Sequence, residues 1–533
     1  MYLCGVCKLL SLSVLLTLVS VIGLMLIRTK MYLDENTVLP KTAPMAGSDF
    51  TKPLPWTTEE QSEAVHRFSR AIQFPTVLYE RDRTVFDKMF TQIMKDFPIL
   101  FSEQEGILRE ITSDIQKDQI VDGEKDYLAS RVWVWRGKNG NTKKPIMLTA
   151  HVDVVPINDE SKWTYPPFSG KLADGYINGR GTLDDKNGVF EILEAINQLK
   201  KDHILEQPDR DIYVVIGMDE EIGGAHGAQK VTSYFFNRNI SFAFILDEGG
   251  QIADKQFPTV DDPTAFVATS EKGFCNYAID VQCEPGHAAL PQATNCIGMM
   301  AKAITSILEN PMPAHFDKPL IQNTLKQLVP RSNNIITKII AANLDILSYP
   351  LGKAVAKMGG PPNAMVRTTF APTIVKAGVQ NNVMPSFATH TLNVRFAPYD
   401  TIESVKNHLI KVINSPNVTV TPLKGDGHQC EEASSVSCTD CIEFEVLKRS
   451  INKLQPDAVV TPYLFLAGSD SRHYRKLSTF AYGYLPMRLE KANEDLQRIH
   501  GHNERIKIDN YIESVNVYST IIQNADRLLS ERP

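Results

Sequence analysis

The sequence is short of several things at once. Its 533 residues hold only eight cysteines, too few for a disulfide-built scaffold. Basic side chains do not predominate: 56 Lys and Arg stand against 62 Asp and Glu, a net charge of −6, so no positive field invites nucleic acid. Internal repeats and low-complexity tracts are absent, which leaves out repeat arrays. Apolar residues make up 43% and charged residues 22%, ordinary globular values that exclude a wholly disordered or fibrous chain. Long hydrophobic runs are scarce too, with one exception.

That exception is Leu9 to Ile27, an unbroken run of apolar and small residues with Lys8 before it and Arg28 and Lys30 after it. Its length suits a bilayer-crossing helix and is long for the apolar part of a cleavable signal; no small-x-small cleavage site follows. The basic flanks are nearly symmetric and do not fix orientation. Residues 1–30 are therefore expected to be a signal peptide or signal anchor, sending the rest into the secretory pathway. The product is either secreted or a single-pass type II membrane protein with a lumenal catalytic domain. The sequons at Asn239 and Asn417 agree with that route, and Cys4 and Cys7 would be cytoplasmic, as palmitoylation sites or plain thiols, if the anchor stays. Cys438-Thr-Asp-Cys441 has no second ligand pair, so a disulfide or idle thiols is favoured over a zinc knuckle.

The rest reads as one catalytic domain split by an inserted lid. Residues 31–55 carry four prolines and resemble a stem. In 56–266, buried strands are expected at Pro145–Ala150, Asp211–Met218 and Ser241–Leu246, with a helix at Gly188–Leu199. Near-continuous apolar strands between helices imply a mostly parallel sheet covered on both faces, an α/β domain. In 267–426 the texture changes to alternating strands (Asn276–Glu284, Ala388–Phe396, Val418–Leu423) and two helices (Ile297–Leu308, Ile402–Ile413). This is an α+β lid of βαββαβ type. An insertion at 311–362 interrupts it, with a helical stretch at Ile335–Leu347. The catalytic domain resumes over 427–533 and ends in a helix near Asp509–Leu529.

Three of the buried strands run into ionisable groups: His151-Val-Asp153, Asp219-Glu220-Glu221 and Asp247-Glu248-Gly-Gly. Ligands gather beyond the carboxyl ends of strands in open α/β sheets, and His with carboxylates there suits a divalent ion, most simply zinc. The glycine-rich GRGTLDDKNG turn adds Asp184 and Asp185 ahead of a helix. Each cluster alone could be structural; their shared placement at strand ends argues for a metal site.

In order, HVDVVP, GRGTLDDKNG, DEEIGG, DEGG, PGHAALP and IHGHNE resemble the motifs of the dizinc aminoacylase/carboxypeptidase metallopeptidase family, over most of residues 56–530. The resemblance implies two Zn²⁺ per subunit: His151 and Asp247 on one, Glu221 and His500 on the other, and Asp184 bridging. It implies that Asp153 orients His151 and that Glu220 is the general base. The residues agree with this: i and i+2 share a strand face, whereas adjacent Glu220 and Glu221 point apart. Two divalent ions, three carboxylates and one hydroxide sum to neutrality, which keeps burial cheap. The resemblance further implies His287 as an oxyanion donor, reaching the partner's site in a homodimer. Asn382 and Arg395 join it at the substrate, with Arg472 as a second candidate for a substrate carboxylate. The implied reaction is reversible hydrolysis and condensation of N-fatty-acyl amino acids. A carboxypeptidase S-like exopeptidase on short peptides is the alternative, and a catalytically silent binding relative a third reading. The partner is then a small lipid–amino acid molecule, with membrane or lipoprotein association open. The 311–362 insertion would either line an acyl channel or pack the lid.

Overall fold

The computed structural model describes residues 19–35, 51–78, 82–117, 128–140, 142–255, 257, 259–424 and 430–529. Residues 9–18 of the apolar run, most of the stem, and His428 near the Cys438 pair lie outside them.

Ten strands form the central sheet: β1 (Leu108–Glu110), β2 (Ser130–Trp135), β3 (Ile146–His151), β4 (Ile212–Gly217), β5 (Phe244–Asp247), β6 (Ile252–Ala253), β7 (Thr264–Glu271), β8 (Val459–Phe465), β9 (Ala481–Gly483) and β10 (Arg488–Leu489). Their order is β1-β2-β4-β3-β5-β9-β7-β6-β10, with β8 on β7. The sheet is mixed and mostly parallel; β3 runs parallel to both β4 and β5, and β5 to β9. Strands β3 and β4 are buried along their whole length, as expected of a sheet covered on both sides. Strand alternation divides their side chains between two cores. Ile146, Leu148 and Ala150 meet Phe190, Tyr511 and Val515 from the helices Lys186–Lys201 and Ile508–Leu528. Met147, Tyr213 and Val215 face Val231 and Phe235 of the helix Ala228–Asn237 on the other side.

The lid is an antiparallel sheet in the order Thr369–Ala377, Phe387–Phe396, Gly273–Gln282, Val418–Pro422, backed by the helices Cys296–Glu309 and Ile402–Ile413. Disulfides Cys275–Cys430 and Cys283–Cys296 lie in it; Cys438 and Cys441 are unbridged. The strand Thr369–Ala377 escapes the sequence pattern because most of it is exposed on both faces.

The helix expected over Ile335–Leu347 is instead two, Ile335–Ala342 and Leu344–Met358, bent by 116°. Asn343 ends one and starts the next; its φ of −127° is not helical. Its buried amide also donates outward, to the Met25 carbonyl at 3.3 Å, which a continuous helix offers no reason to expect.

Candidate metal centre

Because β3, β4 and β5 are parallel, their carboxyl ends share one sheet edge. His151 closes β3; a single 3₁₀ turn, Glu220–Ile222, follows β4; Glu248 follows β5. The turn after Glu221 needs glycine: Gly223 and Gly224 have φ of 105° and 68°. A Cβ on Gly224 would also sit 2.3 Å from Asp470 Oδ1. Asp219 Oδ2 anchors the far side of the turn by accepting from the backbone N–H of His226 and Gly227.

Two trios of donors face one another: His151 with Glu220 and Glu248, and Asp184 with Glu221 and His500. Asp184 stands between them, with Oδ1 3.1 Å from His151 Nε2 and Oδ2 3.0 Å from His500 Nε2. Glu221 Oε1 is 3.2 Å from His500 Nε2, and Glu248 Oε1 is 3.4 Å from His151 Nε2. Glu220 stands back, 3.9 Å from His151. Asp153 joins two segments: Oδ2 accepts from the Glu221 N–H at 3.0 Å, while His151 Nδ1 lies 3.0 Å from the Asp153 carbonyl and 3.4 Å from its Oδ1.

One expectation is redirected by this geometry. The strand-end carboxylate that reaches His151 is Glu248, whereas neither donor trio includes Asp247. Asp247 Oδ1 accepts from the Glu248 N–H at 2.9 Å, and its charged neighbours are Glu248, Asp470 and Glu271.

The Asp184 and His500 segments are bolted together by a pair the motif reading passed over. Glu504, fully buried, accepts from Arg180 Nη1 at 2.6 Å and from the N–H of Gly181 and Leu183. Arg180 in turn donates to the carbonyls of Gly501 and His500. The sequence signal was available in GRG and HGHNE, but only as motif letters without roles.

The electrostatics ask for added positive charge. Burial, then the charge of Glu248, pushes Glu220 well above the usual carboxylate range. Burial and the charge of Asp184 lift Glu248 to about 7. Hydrogen bonds that the His500 ring donates to Asp184 and Glu221 raise its pKa to about 10. Four carboxylates and two imidazoles crowded at one strand edge are the donor set of a borderline divalent ion, and they fit two such ions sharing Asp184.

Beside the centre opens a cleft of about 620 Å³ lined by Glu220, Glu221, Phe274, Arg395 and Arg472. The Arg395 guanidinium lies over the Phe274 ring at 4.6 Å. Burial, then the charge of Arg472, lowers the pKa of Arg395, so the two cations share this space against mutual repulsion. His287 and Asn382 are placed together but outside the cleft, on an exposed two-stranded ribbon where the Ala288 N–H donates to the Asn382 carbonyl. No residue of the 311–362 insertion lines the cleft.

Residues 147–524 match Peptidase family M20/M25/M40. The chain belongs to this family. It is 34% identical over 472 residues to "N-fatty-acyl-amino acid synthase/hydrolase PM20D1" of Xenopus tropicalis, spanning 88% of this chain and 87% of that one. It is 35% identical to "Probable carboxypeptidase S-like 2" of Dictyostelium discoideum, spanning 89% and 87%. Among solved structures, an M20 family metallo-carboxypeptidase from Sulfolobus solfataricus superimposes with a TM-score of 0.57 at 16% identity, spanning 88% of this chain and all of that one. As an M20 member the chain is a metal-dependent amidohydrolase with an α/β catalytic domain.

Proposed function

We propose that the chain is a dizinc amidohydrolase that cleaves N-fatty-acyl amino acids to a fatty acid and an amino acid, and condenses the two in reverse. His151, Glu248 and Asp184 would hold one ion; Glu221, His500 and Asp184 the other. Glu248 takes the place assigned from sequence to Asp247, because its carboxylate is the one within reach of His151. Two such ions supply Lewis acidity, acidifying water and polarising an amide carbonyl.

The chain's own groups do the rest. Glu220, 3.9 Å from the His151 ring at the cleft wall, takes a proton from the attacking water. It returns that proton to the amide nitrogen as the carbon–nitrogen bond breaks, leaving carboxylate and amine; condensation is the same path reversed and releases water. Asp153 fixes the height of Glu221 relative to His151. Arg395, braced on Phe274, with Arg472 beside it, receives the substrate's carboxylate. His287 donates to the developing oxyanion from a second copy of the chain, with Asn382 next to it, which its exposed place outside the cleft supports. Entry into the secretory pathway, as a secreted or membrane-anchored product, is supported by the lid disulfides. The exposed Asn239 and Asn417 support glycosylation.

The observation that carries the reading is the Asp184-bridged pair of trios opening onto a cleft with two guanidiniums. The substrate class leans on the synthase/hydrolase relative, while the Dictyostelium relative favours an exopeptidase. Assaying the purified chain on oleoyl-phenylalanine and on a dipeptide separates them. Hydrolysis of the first is expected; cleavage of the dipeptide alone would establish the exopeptidase. Glu220→Gln should cut either rate by about a hundredfold or more while metal stays bound, and a silent relative would show neither activity.

A further inference from the structure

The bent helix pair at 335–358 leaves its apolar side chains in the open. Ile335, Ile336, Tyr349 and Met358 are 59, 62, 72 and 70% exposed. Among the described residues no single helix is long and apolar enough to cross a membrane, but this bent pair passes by length and composition. Lying against the pair is the helix at 19–35. Asn343 Nδ2, fully buried, reaches the Met25 carbonyl and, at 3.4 Å, Thr29 Oγ1; Arg28 pairs with Asp345 at 2.8 Å. The outer side of that helix is apolar as well, with Ile22, Leu26 and Ile27 more than half exposed. It continues the run from Leu9 to Ile27.

Charge is distributed to match. Lys338, Lys353 and Lys357 stand on the pair, and Arg28 and Lys30 on its partner helix, which ends in Asp34 and Glu35; with Asp345 the unit keeps a net charge of +2. The one carboxylate in 335–358 is Asp345, and it is neutralised by Arg28. Lys353 Nζ sits over the Tyr349 ring at 4.7 Å, joining an aromatic to a cation as the headgroup layer favours. Apolar faces rimmed by lysine are the pattern of helices lying in a bilayer interface, and the cation excess suits anionic lipid. The segment that follows the insertion is tied to the lid: Lys272 Nζ, two residues from Phe274, donates to the carbonyls of Ala364 and Arg367.

We propose that the bent pair 335–358, docked on the helix at 19–35 through Asn343 and Asp345, rests its apolar face in the interface of an anionic lipid bilayer and so holds the lid and cleft at the membrane surface. Docking is independent of the substrate assigned above, although a membrane-held cleft suits an acyl chain that partitions into lipid.

The test uses the full chain reconstituted into phosphatidylcholine vesicles with and without phosphatidylserine. An encoded fluorescent residue replaces Ile336 or Ile346, and Phe236, exposed on the catalytic domain, serves as control; retained hydrolysis shows that each variant is folded. Brominated lipid should quench the probes at 336 and 346 several-fold more than the one at 236, more so with phosphatidylserine, and aqueous iodide should do the reverse. Arg28→Asp should weaken the lipid quenching, and Arg28→Asp with Asp345→Arg should restore it. Equal iodide access at all three positions would overturn the proposal. So would shielding from both quenchers, which would mean that a protein surface covers the face.

Discussion

At the scale of single residues, neighbours in sequence have different fates. Glu220 and Glu221 share one turn and both line the cleft, yet Glu221 meets His500 while Glu220 stands 3.9 Å from His151. Asp247 and Glu248 divide in the same way, and here residue type alone could not choose. Both are acids at the end of β5, and the side chain that enters the site is decided by how the chain leaves the strand. The structure brings His151, Asp184, Glu221 and His500 together in the two trios; the DDKNG, DEEIGG and DEGG motifs each offer adjacent acids, and residue type alone does not choose between them. The variants Glu248→Ala and Asp247→Asn separate the DEGG pair. Loss of one of two bound ions is expected for the first and retention of both for the second, read by elemental analysis of the folded proteins. The opposite pattern would return the ligand role to Asp247.

At the scale of elements, the three strands expected before the site and the helices expected near 188–199 and 509–529 are present, and the helix at Ile402–Ile413 has the bounds its pattern predicts. What periodicity misses is long-range support. Glu504 sits 321 residues from Leu183 in sequence and still fixes the loop that presents Asp184. Glu504→Ala would strand the Arg180 cation in the interior, a loss of about 3–5 kcal/mol for a broken buried pair. It should lower metal occupancy at both sites together, because Asp184 and His500 hang on the same clamp. Loss at one site only would contradict that coupling.

The helix Lys186–Lys201 carries a second buried acid, Glu191, whose pKa burial raises to about 8. Its folded pKa exceeds its unfolded value, so the folded state holds the extra proton. Its stabilising effect is full below about 4.5 and is lost as the pH rises towards 8. Glu191→Gln should therefore match the parent in thermal stability near pH 5 and exceed it at pH 8. An equal difference at both pH values would show that Glu191 does not titrate this way.

At the scale of the whole molecule, two bodies meet at one cleft: an α/β domain that supplies every candidate metal donor, and a lid that supplies Phe274 and Arg395 to the same cavity. The change from continuous to alternating apolar patterns announced a second body, but the boundary expected at 267 falls inside β7 of the central sheet, and the first lid strand starts at Gly273. The placement of the insertion was not legible, because its helices pack on the helix at 19–35 and on β8 rather than on the sheet that encodes the alternation. Nor could the motif letters show that Asn382 stands outside the cleft of its own chain, beside His287. All of these features serve a centre whose purpose is to concentrate positive charge against crowded carboxylates. The most direct measurement is elemental analysis of the purified active chain before and after dialysis against a chelator, with activity assayed in parallel. The account predicts two zinc ions per chain, with activity lost on their removal and regained when zinc is returned. A chain that hydrolyses its substrate undiminished with no metal bound would contradict it.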